Sequence, residues 1–344
     1  MDILHVTRPV PVAGVEDIPP PLADAQPVRR LLSRCPVAAI TPLEGAGALA
    51  QEGGVGTLWI KDERGRMGLG SFKALGAAHV IARDAAAGDV SDVTYVTASA
   101  GNHGMSVAAG ARAFGAKAVI YIAQTVPESF ADRLRAEGAD VVREGEIYET
   151  SMAAAAQAAE DQGWRLLSDS SWQGYTEPPL RVMEGYLALM AEAVEQVPAV
   201  PSHIFLQAGV GGLAAACAAF ARQAWGDAPR IVVVEPAFAP ALHGSIAAGC
   251  PVESSGPVSE MGRLDCKMPS LIALKGLARD ADAYALITEE EAQAGAGAAQ
   301  VAGFGASPSG AAGSAAVLAA NAAQRVWLER DAMCVGWCFV SEAD

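Results

Sequence analysis

The chain is short of lysine: across 344 residues there are five, against nineteen arginines. Histidine is equally scarce, with five, and aromatic residues make up only 6%. Six cysteines occur (Cys35, Cys217, Cys250, Cys266, Cys334 and Cys338), but no CxxC pair. With so few histidines, that spacing argues against a structural zinc site. Cys334 and Cys338 lie four apart in an apolar run and are expected to pack as small hydrophobes with reduced thiols. Mean hydropathy is +0.24, yet no uncharged run of about 18 strongly apolar residues occurs, so no membrane span is expected. The longest apolar stretches are alanine-rich, as from Ser151 to Ala159, and alanine favours packed helices. Positive charge is in deficit, with a net charge of −15, which argues against nucleic acid as a partner. The opening Met1-Asp2-Ile3-Leu4-His5 has no basic-then-apolar leader, so the cytoplasm is the expected compartment. There is no GxGxxG with an acidic residue placed for a ribose, and no GxxxxGK[ST].

What remains describes a globular protein, 51% hydrophobic and 18% charged. A chain of this length exceeds one ordinary core and is expected to form two lobes. Residues 1–40 carry Pro9, Pro11, Pro19, Pro20, Pro21, Pro27 and Pro36 and read as an extended arm with a short helix near 27–34. From residue 91 to 174, short Val/Ile-rich strands alternate with helices three times, the pattern of a parallel sheet. A second series follows: strand 203–207, helix 213–225, strand 230–234, then helix 310–323 and strand 333–340. The expected fold is α/β and two-lobed, with parallel sheets flanked by helices. Residues 91–174 form the small domain, and residues 1–90 with 175–344 form a discontinuous large one. The cleft between them is the expected site.

Three segments carry chemistry. Lys73 lies in Gly70-Ser71-Phe72-Lys73-Ala74, just ahead of a helical pattern. An amine there can form a Schiff base with an aldehyde, which arginine cannot do. The bland alternative is a surface lysine on a helix that Ser71 caps. Gly209-Val210-Gly211-Gly212-Leu213 lies between a strand and an Ala-rich helix, where backbone N–H groups can receive a phosphate. Such turns also occur for packing alone. Ser99-Ala100-Gly101-Asn102-His103-Gly104 opens a helix after a strand, and here Asn102 could simply be a cap. Asp62 and Glu63 are expected to organise the loop before Lys73, and Glu235 to bound a pocket.

Together the three segments resemble the pyridoxal-phosphate (PLP) enzymes of fold type II, the tryptophan synthase β and threonine dehydratase type. Asp169-Ser170-Ser171-Trp172-Gln173-Gly174-Tyr175 and Met261-Gly262-Arg263-Leu264-Asp265-Cys266 resemble segments of the diaminopropionate ammonia-lyases. The likeness covers most of residues 40–344. It implies pyridoxal 5'-phosphate bound to Lys73, beside Phe72. The phosphate would lie on Gly209 to Leu213 (Val210 included), Asn102 at the phenolic oxygen and Ser341 at the pyridine nitrogen. Ser99, Ala100, Gly101 and His103 would take the substrate carboxylate, His103 bracing the loop. Asp169 would be the catalytic carboxylate, its pKa raised by burial so that it donates a proton to the leaving group. The implied reaction is α,β-elimination from a 3-substituted L-amino acid, giving a 2-oxo acid and ammonia. A dehydratase of 3-hydroxy amino acids and a non-catalytic PLP-binding protein are the rivals. Ala100 stands where the family has a second Asp, and Pro308 where it has Glu; the first departure implies L-only activity. A homodimer is expected by analogy.

Overall fold

The Val- and Ile-rich runs fold as strands, and in the middle of the larger sheet they are buried along nearly their whole length. In a computed structural model, which describes residues 1–327 and 333–343, there are eleven of them. In chain order they are β1 (Asp2–His5), β2 (Leu43–Gly45), β3 (Thr57–Asp62), β4 (Thr94–Ala98), β5 (Lys117–Ile122), β6 (Asp140–Arg143), β7 (Arg165–Leu166), β8 (His203–Gln207), β9 (Arg230–Pro236), β10 (Ala283–Ile287) and β11 (Val335–Val340). Seven form one sheet in the order β1-β10-β9-β8-β11-β3-β2, and four form another in the order β6-β5-β4-β7. The smaller sheet is parallel throughout; in the larger one only the edge strands β1 and β2 run antiparallel. All five residues of β8 are buried, as expected where helices cover both faces. The expected α/β architecture is the one observed.

The N-terminal arm is tied down by β1 against β10 and by backbone bonds from Val10 to Ala278 and Ala13 to Gly249. Its short helix is Gln26–Leu32. The single helix expected over 310–323 is instead two, Ala312–Ala319 and Ala322–Trp327. Asn321 breaks it: its Oδ1 accepts from the Gln324 N–H while the Gln324 side chain accepts from the Asn321 N–H, each at 2.9 Å. An Asn that caps a new helix this way competes with continuation of the old one. Absent from the sequence expectation is the 20-residue helix Glu177–Gln196, buried from Val182 through Ala193. It packs against the helix Lys73–Ala87 and the helix Gly212–Trp225.

Behind the loop that leads to Lys73 lies a buried ionic cluster. Lys61 Nζ donates to Thr41 O (2.7 Å), Glu192 Oε2 (2.8 Å) and Gln196 Oε1 (2.8 Å). Arg66 donates to both Glu63 oxygens at 2.7 and 2.8 Å and to both Glu192 oxygens at 2.9 and 2.7 Å. Two cations meet two anions with their donors used, the condition under which buried charge is tolerated. Among the described residues, no helix is long and apolar enough to cross a membrane, and all six cysteines are free thiols.

Candidate active site

The C-terminal ends of β3, β4, β7, β8 and β11 feed the segments singled out from sequence, the edge at which parallel sheets place their ligands. After β3, the loop through Arg66 delivers Lys73 at the start of its helix. Ser71 Oγ accepts from the Lys73 N–H at 3.3 Å, but the N-cap position is Phe72, without a side-chain capping bond, and the Lys73 side chain is partly buried. The turn is clamped by residues after β11. Phe72 N–H donates to Ser341 O (3.1 Å), Ala343 N–H to Gly70 O (3.0 Å), and Ser71 pairs with Glu342 as an isolated bridge.

Lys73 Nζ donates to Asp169 Oδ2, with the side chains 22% and 16% exposed. Burial works to lower the amine pKa, but the Asp169 carboxylate overrides it and holds Lys73 well above the usual lysine range. For Asp169, burial pushes upward and the Lys73 charge, then His103, pulls further downward; the carboxyl lies well below its ordinary range. This corrects the expectation of a raised Asp169 pKa: a cation 96 residues away in the chain outweighs desolvation.

His103 Nε2 donates to Leu167 O at 2.8 Å, so the ring braces the loop beside Asp169, and burial lowers its pKa. Gly101 N–H donates to Ser99 Oγ at 3.3 Å. A Cβ on Gly104 would stand 2.2 Å from Ser99 O, so only glycine permits this turn. Asn102 Nδ2 donates to Glu342 Oε2 at 2.6 Å, a partner that sequence reading did not foresee. Glu235 accepts from the N–H groups of Leu242 and His243, both at 2.7 Å, and burial pushes its carboxyl up to about 8. It anchors the helix Ala241–Ala248.

The glycine loop turns out of β8 with Gly211 at φ +94°, a conformation costly for other residues. A Cβ on Gly209 would meet Cys266 Sγ at 2.9 Å, and one on Gly211 would meet Leu242 at 2.9 Å, so packing also requires these glycines. The N–H groups of Gly211, Gly212 and Leu213, all buried, find no acceptor among the described residues. Three such donors at the start of a 14-residue helix are costly unless an anion takes them. A second orphan is the Tyr186 hydroxyl, on the Glu177–Gln196 helix: 1% exposed, unpartnered, and close enough to Lys73 and Asp169 to feel both charges. Its ring stacks edge-on against Phe72 at 5.0 Å and lies near Gly76 and Gly212. Cys266, its thiol pushed up to about 12 mainly by burial, and Tyr148 face the same two charges. An amine, an anion cradle and an orphaned hydroxyl in one cleft fit a phosphorylated aldehyde cofactor. The structure brings together the segments expected to hold pyridoxal phosphate: Phe72 bonds Ser341, Asn102 bonds the adjoining Glu342, and Gly212 of the glycine loop lies near Asp169, the partner of Lys73.

Tyr186 and Glu342 were not found from sequence. Tyr186 lies in a long helix that the sequence reading did not foresee; Glu342 follows Ser341 directly and could have been examined with it.

Comparison with known proteins agrees with this geometry. The family model described as "Pyridoxal-phosphate dependent enzyme" matches residues 36–335. The chain is 34% identical over 268 residues to the diaminopropionate ammonia-lyase of Salmonella typhimurium, covering 70% of this chain and 66% of that enzyme. It is 29% identical over 266 residues to the L-serine dehydratase/L-threonine deaminase of Homo sapiens, covering 77% of each. The matched region thus spans about two thirds of the length of the Salmonella relative. Among solved structures, Escherichia coli diaminopropionate ammonia-lyase in complex with an aminoacrylate-PLP azomethine reaction intermediate superposes with a TM-score of 0.89. Its sequence identity is 26%, and the match covers 100% of this chain and 94% of that one.

Proposed function

Since the chain belongs to the family of pyridoxal-phosphate dependent enzymes, we propose that it catalyses α,β-elimination from a 3-substituted L-amino acid, with 2,3-diaminopropionate as substrate. The products are a 2-oxo acid and ammonia. The observation that carries this reading is the Lys73–Asp169 ion pair. When bound, pyridoxal phosphate acts as an electron sink for the carbanionic charge at Cα. Gly211, Gly212 and Leu213 N–H groups would hold its phosphate and Asn102 its phenolic oxygen, while Ser99, Ala100, Gly101 and His103 would take the substrate carboxylate. Lys73 Nζ, as a free neutral amine, would take the Cα proton.

Asp169 favours the amine-bearing substrate. Once the Lys73 amine is committed to the cofactor, the Asp169 carboxylate loses its counter-ion in a partly buried site. A β-ammonium group replaces that charge, and it departs as neutral ammonia with the C–N electron pair, needing no proton from an acid. A β-hydroxyl brings no such charge to Asp169 and would have to receive a proton before it could leave. Ala100 leaves no carboxylate on the other side of the cleft, in line with a preference for the L enantiomer. We also propose that residues 91–174 form the small domain and residues 1–90 with 175–344 the large one. Supporting this, β4 to β7 all lie within 91–174 and the other seven strands outside it.

The test is oxo-acid release from 3-amino-, 3-hydroxy- and 3-sulfo-substituted amino acids, both enantiomers. The expected result is turnover of L-2,3-diaminopropionate, with the D form slower. Turnover confined to 3-hydroxy compounds would replace the ammonia-lyase reading by a dehydratase. A holoenzyme inert to every compound would favour PLP binding without turnover.

A further inference from the structure

Glu342 stands out because it is a 4% exposed carboxylate with both oxygens engaged by different parts of the site. Oε2 accepts from Asn102 Nδ2 at 2.6 Å. Oε1 accepts from Arg263 Nη1 at 2.9 Å and from Ser307 Oγ at 3.0 Å. Its backbone bridges Ser71, two residues before Lys73, and its carbonyl and side chain pack so tightly on Gly310 that a Cβ there would stand 2.8 Å away. The side chain therefore has little freedom. Arg263 supplies the countercharge that makes burial of the carboxylate tolerable.

Asn102 is an amide whose two ends, one donor and one acceptor, have nearly the same shape. A carboxylate can only accept, so Glu342 decides which end faces it: Nδ2 must, and Oδ1 cannot. Nδ2 carries two hydrogens. Glu342 takes one, and the other is left with its direction fixed. We propose that Glu342 is a positioning residue. Buried against Arg263 and Ser307, it locks the Asn102 amide so that its second N–H is presented to the phenolic oxygen of pyridoxal phosphate. The inference rests on the reading above in one respect only, that Asn102 lies beside that oxygen.

A donor on the phenolic oxygen tunes the pH at which the visible absorption band of the holoenzyme changes, so the test is spectroscopic. Glu342→Gln is nearly isosteric and offers Asn102 an N–H2 that reverses the amide. The titration midpoint of that variant should shift by roughly one pH unit, on the order of one charge-assisted hydrogen bond. Asn102→Ala should shift it by a similar amount, and the double variant no further, because both act through one contact. Arg263→Met, which removes one support, should shift it in the same direction by less. That variant also stands in for Glu342→Gln should the latter fail to accumulate. A purely structural Glu342 would lower the Tm of the cofactor-free protein and leave the midpoint alone. That result, or additive shifts in the double variant, overturns the proposal. Wild-type protein that stays colourless with pyridoxal phosphate overturns the parent reading and this inference with it. A coloured, active wild type with an unmoved variant overturns the inference alone.

Discussion

At Lys61, Glu63, Arg66 and Glu192, two cations and two anions are closed off with their hydrogen-bonding groups used, Lys61 and Arg66 being 0% and 1% exposed. At Lys73 and Asp169, one cation meets one anion, both partly buried. Tyr186 OH and His103 Nδ1 stand nearby without partners. The first cluster contains more charge, yet it offers nothing to a ligand, because every group is already satisfied. The second leaves groups unpaired beside a pair that one chemical event can separate. The two clusters differ in completeness rather than in charge density.

Substitutions can press on this contrast, beginning with the largest effect. Lys73→Ala should abolish the visible band formed with pyridoxal phosphate and reduce oxo-acid release by at least about 10³-fold, the scale of an essential proton-transfer group, measured by absorbance and steady-state assay. Turnover surviving that change would remove Lys73 from the mechanism. Removing one partner from the closed cluster, as in Glu192→Gln, should cost about 3–5 kcal/mol of stability, read by denaturant unfolding, while protein that remains folded keeps kcat within a few-fold. Asp169→Asn should do the reverse. It should lower kcat/KM for L-2,3-diaminopropionate by roughly 10²- to 10³-fold, with a smaller effect on any 3-hydroxy substrate and a modest one on Tm.

The pH dependence of the cofactor-free protein separates the clusters further. The Asp169 pKa lies below its ordinary 3.8 in the fold. Its contribution to stability is therefore present above 3.8 and lost as pH falls below that value. Lys73, held above 10.5, contributes below that pH and loses its contribution as alkalinity rises past it. The Tm difference between wild type and Asp169→Asn should shrink in acid; a constant difference would mean that the ion pair adds nothing. The smallest effect is expected for Tyr186→Phe, which removes the orphaned hydroxyl. It should weaken pyridoxal-phosphate binding by about tenfold or less by equilibrium dialysis, or leave it unchanged if that hydroxyl touches only the substrate.

Much of this arrangement was legible in the residues because its chemistry is local. Lys73, the glycine loop and the Ser99 to His103 turn each announce themselves within six residues, and the alternating strands place them at one edge. What escaped was set by contacts distant in sequence. The charge state of Asp169 depends on Lys73, the orientation of Asn102 on Glu342, and the relevance of Tyr186 on the packing of its helix against the one that carries Lys73. The break at Asn321 was missed for a smaller reason: an Ala-rich run reads as continuous until the cap within it is recognised.

Pairing of β3 with β11, and the bonds that join Glu63 to Val340 and Phe72 to Ser341, carry a consequence for the order of assembly. The strands of the smaller sheet are neighbours along the chain and can condense early, whereas the Lys73 turn waits for two remote segments to find each other, a slow closure. A nascent or refolding molecule would thus acquire that sheet first and its ability to capture vitamin B6 last, so the onset of colour during refolding reports the final docking event.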